Sequence, residues 1–507
     1  MTTTTSRRDR LFACTLVAAI VAVAAGLRLW AALPLAQLHA DEIGQYLEQA
    51  HRIVFGYGVI PWEYREGMRS WLLPLALAGP MALGDAAAPD SLAYMILPKL
   101  LVALGSLSVL WAGWHLGRAI SPLHGWVAVV VAAVWYEFVF MGARTLTEPL
   151  ATAAIVPAAA LLLVGSPTRR VIILAGFLLG IGVVLRFHYA PAVAVIALAA
   201  LWGQWRLRFV PLVIGGVAAL AVSAAVDLWA GQIPFAWIVT NVRFNIVDDV
   251  ASQFGVTPPL AYLGEYIISW GPARILILLS ILPAVRHHRA LFWAALVNLA
   301  VHSLIGHKEY RFIHLTTTIF ILLSAVGTVE VALWLRRRLA PRAPQWVVLA
   351  LIPLWAAASA ALAATPPRAT GWTQFNASMA LMARAGDMPG SCGVAFERTW
   401  FWTSGGYVTL RRNVPIYLEA GIDPAVQRGG TPLAALPGYN SVIGPASLKP
   451  LLPGDYRTVQ CLKPGRETDF SAYAGGSGVC LFHRPGPCDH TGLERHRVQP
   501  VLERFGR

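Results

Sequence analysis

The sequence predicts an all-α polytopic membrane protein, and three observations lead to that prediction. Of the 507 residues, 57% are hydrophobic and 13% are charged, whereas soluble domains carry about 25% charged residues. The apolar residues lie in long runs separated by short basic breaks, which is the pattern of spanning helices and their loops. The net charge of +14 comes mostly from these breaks, so we expect no nucleic-acid partner.

The first predicted span runs from Leu11 to about residue 32 and follows the basic stretch Arg7–Arg10. It is longer than the apolar region of a cleaved signal peptide, so we expect it to be retained. Arg28, near its outer end, is expected to extend towards the interface. Ten more spans bring the total to about eleven. They fall near 94–117, 124–143, 148–165, 171–187, 189–203, 209–229, 271–285, 290–306, 312–334 and 345–364.

Charge predicts the orientation of these spans. Alternate connecting segments are basic and almost free of acids: Arg7–Arg10, Arg118, Arg169–Arg170, Arg206–Arg208, Arg286–Arg289 and Arg336–Arg342. Such segments face the cytoplasm. An odd number of spans then places a cytoplasmic N-terminus and an extracytoplasmic C-terminus. We predict a transmembrane domain over 1–364 and a C-terminal extracytoplasmic domain over 365–507, in a plasma (inner) membrane that faces a periplasm.

The acidic residues lie on the opposite, outer side. A first outer loop over 33–93 is expected to contain interfacial helices, and a second long loop covers 230–270. A third, short loop surrounds His307–Arg311. Because the acids and the long loops share one face, function is expected on that face.

The C-terminal segment predicts a small α/β or β-rich domain with two disulfides. Its β-like runs are 406–410, 414–418, 439–443 and 479–482, separated by Gly and Pro turns. Its four cysteines allow three pairings in an oxidising compartment, and they are Cys392, Cys461, Cys480 and Cys488. Their spacing does not fit a zinc site, and we expect no metal and no cofactor.

An amphipathic helix is predicted at the start of the first outer loop. Asp41, Gln45 and Glu48 recur at helical spacing, and an apolar face accompanies them, which favours a helix lying flat on the membrane. A carboxylate at a helix N-terminus stays ionised and is able to accept a proton from a sugar hydroxyl. The alternative is that Asp41 only caps the helix.

A second polar cluster, His307-Lys308-Glu309-Tyr310-Arg311, lies at the outer end of a span. Ionisable groups there are costly unless they face a polar cavity or pair with each other. They are suited to binding a phosphate, or alternatively to forming an interfacial belt. Other outer basic residues, each individually a candidate interfacial anchor, are Arg69, Lys99, Arg144, Arg186, His188 and Arg243. Glu148 fits either a helix pairing with Arg144 or a catalytic acid.

These motifs resemble those of one enzyme family. The stretch from His39 to Gly58, with Trp62-Glu63-Tyr64 and Arg69-Ser70-Trp71, looks like the first-loop signature of glycosyltransferase family 22. Its members are the polyprenyl- or dolichyl-phosphate-mannose-dependent α-mannosyltransferases of the N-glycan precursor and GPI-anchor pathways. The block 245–258 and the block 307–312 agree in order. Ala40 stands where proline is usual, and Val256-Thr257 replaces a His-Pro-Trp sequence.

The resemblance implies a C-type membrane glycosyltransferase fold and a metal-independent, inverting transfer of a sugar, most simply mannose. The donor would be a polyprenyl-phosphate sugar, and the acceptor an envelope glycan or glycolipid. By this resemblance Asp41 would be the general base, and His307, Lys308 and Arg311 would lie near the donor phosphate. From their place on the same outer face, we also expect Glu42 to be catalytic and Arg186 and Lys99 to bind the donor phosphate. The candidate substrate-binding residues are Glu48, Arg69, Trp71, Arg144, Asn245, Glu309 and Tyr310.

Two other classes of protein compete with the enzyme. A transporter or flippase of a lipid-linked glycan should carry internal repeats and ionisable groups near mid-membrane. In this sequence the ionisable groups cluster at the outer ends of the spans, and we find no repeat between the halves. A non-catalytic envelope scaffold would tolerate the replacement of Asp41.

Overall fold

A computed structural model describes residues 7–366, 368–398, 401–418, 433, 435–463 and 478–505, with side chains from residue 14 onwards except at residue 370. The basic side chains at 7–10 therefore lie outside the described part. The chain forms two compact units: Met1–Ala31 with Leu100–Arg368, and Ala32–Lys99 with Ala369–Arg507. This division differs from the predicted boundary at 364/365, because the first outer loop groups with the C-terminal segment.

The first unit consists of helices. They are Arg7–Ala32, Ser108–Arg118, Pro122–Val134, Tyr136–Gly142, Thr147–Leu163, Arg169–Leu185, Ala190–Leu201, Trp205–Trp229, Ala236–Val242, Ala261–Trp270, Arg274–Val285, Arg289–Leu304, His314–Leu339 and Leu351–Ala364. Helix Ala93–Gly105 contains the boundary between the units, and a π-helical turn occupies Arg243–Val247.

The chain is a multi-pass membrane protein. Among the described residues, six helical stretches are long and apolar enough to cross a bilayer, or up to seven if a bent pair counts as one span. Four shorter apolar helices accompany them, so the predicted total of about eleven spans is not confirmed. One span also begins earlier than predicted: the stretch Ala261–Val285 includes ten residues assigned to the second outer loop.

A break in one span explains the position of Arg28. Helices Pro122–Val134 and Tyr136–Gly142 meet at 52°, and a break leaves carbonyls without helical partners. Arg28 is fully buried and donates to the carbonyls of Ala132 (2.9 Å) and Ala133 (3.0 Å), and also to Ser106 Oγ. The expectation that Arg28 reaches the interface is therefore wrong, because its guanidinium satisfies these carbonyls inside the unit.

The second unit combines the first outer loop with the C-terminal segment. The helices wholly within it are Glu48–Phe55, Trp62–Arg65, Leu72–Ala87, Asn376–Asp387, Gly406–Leu410 and Val498–Phe505, with a π-helix at Glu42–Leu47. Helix Glu48–Phe55 ends at Gly56, whose φ of 79° suits a left-handed C-cap. Every residue of the stretch 42–51 is buried. The predicted flat surface helix is therefore wrong: this segment is enclosed by protein.

The C-terminal segment contains a mixed five-stranded sheet. Its strands are β1 (Val394–Phe396), β2 (Ile416–Leu418), β3 (Ser441–Pro445), β4 (Arg457–Leu462) and β5 (Val479–His483), in the order β2-β1-β3-β5-β4. β1 pairs in parallel with β2 and β3, whereas β5 pairs antiparallel with β3 and β4. Apolar clusters pack on the sheet. The predicted small domain is confirmed, except that 406–410 is helical.

Two disulfides hold this domain together, as predicted. Cys392 bonds to Cys488, and Cys461 bonds to Cys480. The second bond joins facing positions of the antiparallel pair β4 and β5. The structure thereby selects one of the three pairings that the sequence allowed.

Candidate functional site

Asp41 immediately precedes the π-helix of the second unit, but its carboxylate makes no capping hydrogen bond to that helix. Its Oδ1 lies 3.2 Å from Nδ1 of His39, and its side chain is 18% exposed. The alternative in which the Asp41 side chain only caps this helix is therefore wrong. π-helical turns occur frequently at functional sites, and this one begins directly after the partly exposed Asp41.

A second carboxylate and a cation lie close to Asp41. Burial raises the pKa of Glu63; Arg69 opposes that rise, and the charge of Asp41 adds to it. Gln45 Nε2 donates to Glu63 Oε1 at 2.7 Å. Burial would lower the pKa of Arg69, but Tyr46, Glu63 and Asp41 together raise it, so its cation persists. The sequence had assigned Arg69 to substrate and had given Glu63 no individual role.

Two other acidic candidates in this unit bind the backbone. Glu42 is 2% exposed and accepts the N–H of Leu38. Glu48 is 1% exposed and accepts N–H groups from Val59 (2.8 Å) and from the C-terminal segment. These contacts give both side chains a structural role. The catalytic role of Glu42 and the substrate-binding role of Glu48 stay predictions.

Lys99 and Trp71 also have contacts inside the second unit. The Lys99 ammonium, 2% exposed, donates to the carbonyl of Pro34 at 2.6 Å. The Trp71 ring stands edge-on to Tyr64, with ring centroids 4.8 Å apart. A carbonyl partner makes Lys99 a loop anchor here, and its predicted phosphate contact stays untested.

In the first unit, two motif blocks that lie far apart in the sequence come together. Thr257 N donates to the carbonyl of Gly306, and Lys308 Nζ lies 3.0 Å from the carbonyl of Thr257. His307 Nδ1 lies 3.1 Å from the carbonyl of Gly255. The second outer loop therefore packs directly on the His307–Arg311 cluster.

The charged groups of this cluster form a network. Arg311 Nε and Nη2 bond to the two oxygens of Glu309 at 2.7 and 3.0 Å, a bidentate pair. Glu148 Oε1 lies 3.4 Å from Arg186 and 3.7 Å from Arg311. A hydrogen bond to Glu309 raises the pKa of His307, while burial opposes the rise. The buried Arg311 and the largely buried Arg186 thus share one buried carboxylate, and the cluster contains more cations than acids.

Other candidates in this unit have defined surroundings. Arg144 is fully buried, with its guanidinium 4.3 Å from the centre of the Phe140 ring. It precedes the helix that begins at Thr147, so the alternative in which Arg144 and Glu148 pair along one helix does not apply. Asn245 lies in the π-helix Arg243–Val247 and donates to Asn241 Oδ1 at 3.1 Å.

Glu137 is a functional candidate that the sequence reasoning missed. It lies within an apolar run, 4% exposed, and accepts the indole N–H of Trp135 at 2.8 Å and of Trp270 at 3.0 Å. The hydroxyl of Tyr310 also donates to it. Its position inside a predicted span could have identified it from the sequence, because acidic residues within spans are rare unless they have a function.

Within the described part of the chain, no cluster of three or more His, Cys, Asp or Glu side chains is arranged to hold a metal ion. A metal-independent reaction stays a prediction.

The architecture is the C-type membrane glycosyltransferase fold. Two solved structures share it: ArnT from Cupriavidus metallidurans bound to undecaprenyl phosphate, and the same protein in the apo state. The first has a TM-score of 0.55 at 11% identity and covers 92% of this chain and 98% of ArnT. The second has a TM-score of 0.54 at 13% identity, with coverages of 93% and 98%.

The chain belongs to the Alg9-like mannosyltransferase family, which it matches over residues 19–383. The predicted family is thereby confirmed. A GPI mannosyltransferase 3 of Yarrowia lipolytica is 31% identical over 291 residues, 54% of this chain and 55% of the relative. A GPI alpha-1,2-mannosyltransferase 3 of Danio rerio is 27% identical over 319 residues, 58% and 56% of the two chains. The chain thus spans about half the length of the curated relatives it matches.

Proposed function

We propose that this protein is a mannosyltransferase that transfers mannose, with inversion, from a polyprenyl-phosphate donor to a hydroxyl of an envelope glycan or glycolipid. Membership of the Alg9-like mannosyltransferase family is the observation that carries the proposal. The named activity of the relatives supports mannose as the sugar. The undecaprenyl phosphate bound by ArnT supports a lipid-phosphate donor.

The proposal assigns the departing phosphate to the cationic network of the first unit. Arg186 and Arg311 share Glu148, and the raised pKa of His307 favours a third positive charge. Fixed cations in a site of low polarity stabilise the negative charge that develops as the sugar leaves. Because these groups supply the charge themselves, the reaction needs no metal.

The proposal assigns acceptor activation to Asp41. General-base catalysis needs an ionised carboxylate that an acceptor hydroxyl can reach. Asp41 is partly exposed, and it interacts with the nearby cation of Arg69. Glu42 is an unsuitable base in this conformation, since it is 2% exposed and bound to the backbone. The reaction would take place on the extracytoplasmic face of a plasma (inner) membrane, with the N-terminus in the cytoplasm.

Sugar transfer in membranes supplied with radiolabelled polyprenyl-phosphate mannose tests this proposal. Asp41→Asn should reduce transfer by about 10²-fold or more, the usual contribution of a general base. Asp455→Asn, which neutralises an exposed acid of the same unit, is the control and should transfer as wild type does. Equal transfer by wild type and Asp41→Asn would remove Asp41 from the mechanism. No transfer by wild type would contradict the donor assignment and favour a transporter.

A further inference from the structure

The break at Trp135 is fully supported by hydrogen bonds, although no proline is present there. The four carbonyls that a helix end leaves unpaired belong here to residues 131–134. Trp135 N donates to the first, Arg28 donates to the next two, and Ser359 Oγ donates to the last at 2.8 Å. An apolar segment tolerates a break only where such partners exist. The fold therefore holds this bend in one defined conformation.

The bend brings Glu137 into a cage of donors. Both indole donors contact Oε2: Trp135 from the bend itself, and Trp270 from a helix end 133 residues after Glu137. The remaining oxygen, Oε1, accepts the hydroxyl of Tyr310. Three donors that converge on one buried carboxylate fix its orientation, and they fix the orientation of the Tyr310 ring as well.

Tyr310 lies between the two members of the bidentate pair. It begins the turn Tyr310–Ile313 and separates Glu309 from Arg311. Because Glu309, Tyr310 and Arg311 are consecutive residues, a displacement of the backbone at Tyr310 would move both neighbours, and an anchored Tyr310 hydroxyl opposes such a displacement. Arg311 in turn reaches Glu148. The hydroxyl of Tyr310 is thus a tether between the bend and the cationic network.

We propose that Glu137 is a positioning residue for lipid-phosphate binding: through Tyr310 it holds the His307–Arg311 cluster in the conformation that receives the donor phosphate. The inference rests on the proposed function, since it assigns that cluster to the phosphate. Glu137 itself contacts no substrate in this scheme.

Three variants separate positioning from stability. Glu137→Met removes every acceptor at nearly constant volume and should weaken undecaprenyl phosphate binding in nanodiscs by about tenfold. Tyr310→Phe removes only the tether and should weaken binding by roughly three- to tenfold. Glu137→Gln should bind within about threefold of wild type, since its amide oxygen accepts from both indoles and its NH₂ donates to the Tyr310 oxygen. In the transfer assay the change should fall on the KM for the donor, with little change in kcat.

Ser108→Ala is the matched control, because it also deletes one interhelical hydroxyl bond, from Ser108 Oγ to the carbonyl of Ala153 at 2.7 Å. It should bind as wild type does. Wild-type affinity in Tyr310→Phe overturns the inference, and it does so even if Glu137→Met fails to fold. If the wild-type protein binds undecaprenyl phosphate but does not transfer mannose, the proposed donor sugar is contradicted. The relative affinities of the variants then still test whether Glu137 positions the cluster. No binding by wild type overturns both.

Discussion

Replacing Glu48 should separate the first outer loop from the C-terminal segment within the second unit. Its Oε1 accepts N–H groups from Val59 at 2.8 Å and Tyr407 at 3.3 Å, and its Oε2 accepts that of Val408 at 3.0 Å. Each buried donor left without an acceptor costs about 1–3 kcal/mol. Glu48→Ala leaves all three donors without an acceptor, which together costs about 3–9 kcal/mol. Because the same change removes a buried charge whose burial is unfavourable at pH 8, we expect the lower part of that range, a net loss of about 3–5 kcal/mol in the free energy of unfolding.

Glu48→Gln refines the test, because it keeps the oxygen shared by Val59 and Tyr407. Its NH₂ then faces the N–H of Val408, so we expect a cost of only about 1–2 kcal/mol. Glu66→Ala alters an exposed glutamate of the same loop and should change stability by less than about 0.5 kcal/mol. Chemical unfolding gives the free energies, and hydrogen exchange gives the protection of the Tyr407 and Val408 amides. Unchanged stability and unchanged amide protection in Glu48→Ala would refute this reasoning.

The pH dependence has a definite sign. Burial raises the pKa of Glu48 from 4.5 to about 7, although its backbone hydrogen bonds oppose the rise. Between these values the folded chain holds a proton that the unfolded chain has released. Stability should therefore fall by about 3 kcal/mol as the pH rises through this window and stay level above it. Glu48→Gln should lack this slope, and an identical slope in both proteins would contradict the assignment.

Two further predictions concern the cluster and the disulfides. The raised pKa of His307 keeps its imidazole charged at pH values above the ordinary pKa of 6.5, so donor affinity should fall as the pH rises through the raised pKa. His307→Gln should bind the donor more weakly at low pH and give a flat profile of donor KM against pH. A pH profile like that of wild type in this variant would contradict the assignment. Removing the Cys392–Cys488 bond, whose cysteines are 96 residues apart, should cost about 1–2 kcal/mol more than removing Cys461–Cys480, 19 residues apart. Unfolding of the two paired Cys→Ser variants measures the difference, and equal costs would contradict the loop-entropy explanation.

The sequence alone determined the class of fold and the residues most useful for testing function. Hydropathy identifies spans because an apolar segment of about 20 residues has few stable alternatives to crossing the bilayer. Cysteine content in a segment predicted to be extracytoplasmic indicated disulfides, and the two motif blocks indicated the family. These signals are local or compositional, and each can be read from a short stretch of chain.

Tertiary structure alone decided which side chains share partners. Helical periodicity in 41–52 predicted one exposed face, but residues 42–51 are buried, and Glu48 accepts a backbone N–H from the C-terminal segment. The position of Arg28 near the end of a span predicted that it reaches the interface, but its guanidinium donates to carbonyls at the bend near Trp135. Glu137 finds its donors at positions 135, 270 and 310. Such partners are far apart in sequence, and a buried polar group depends on the whole fold to satisfy it.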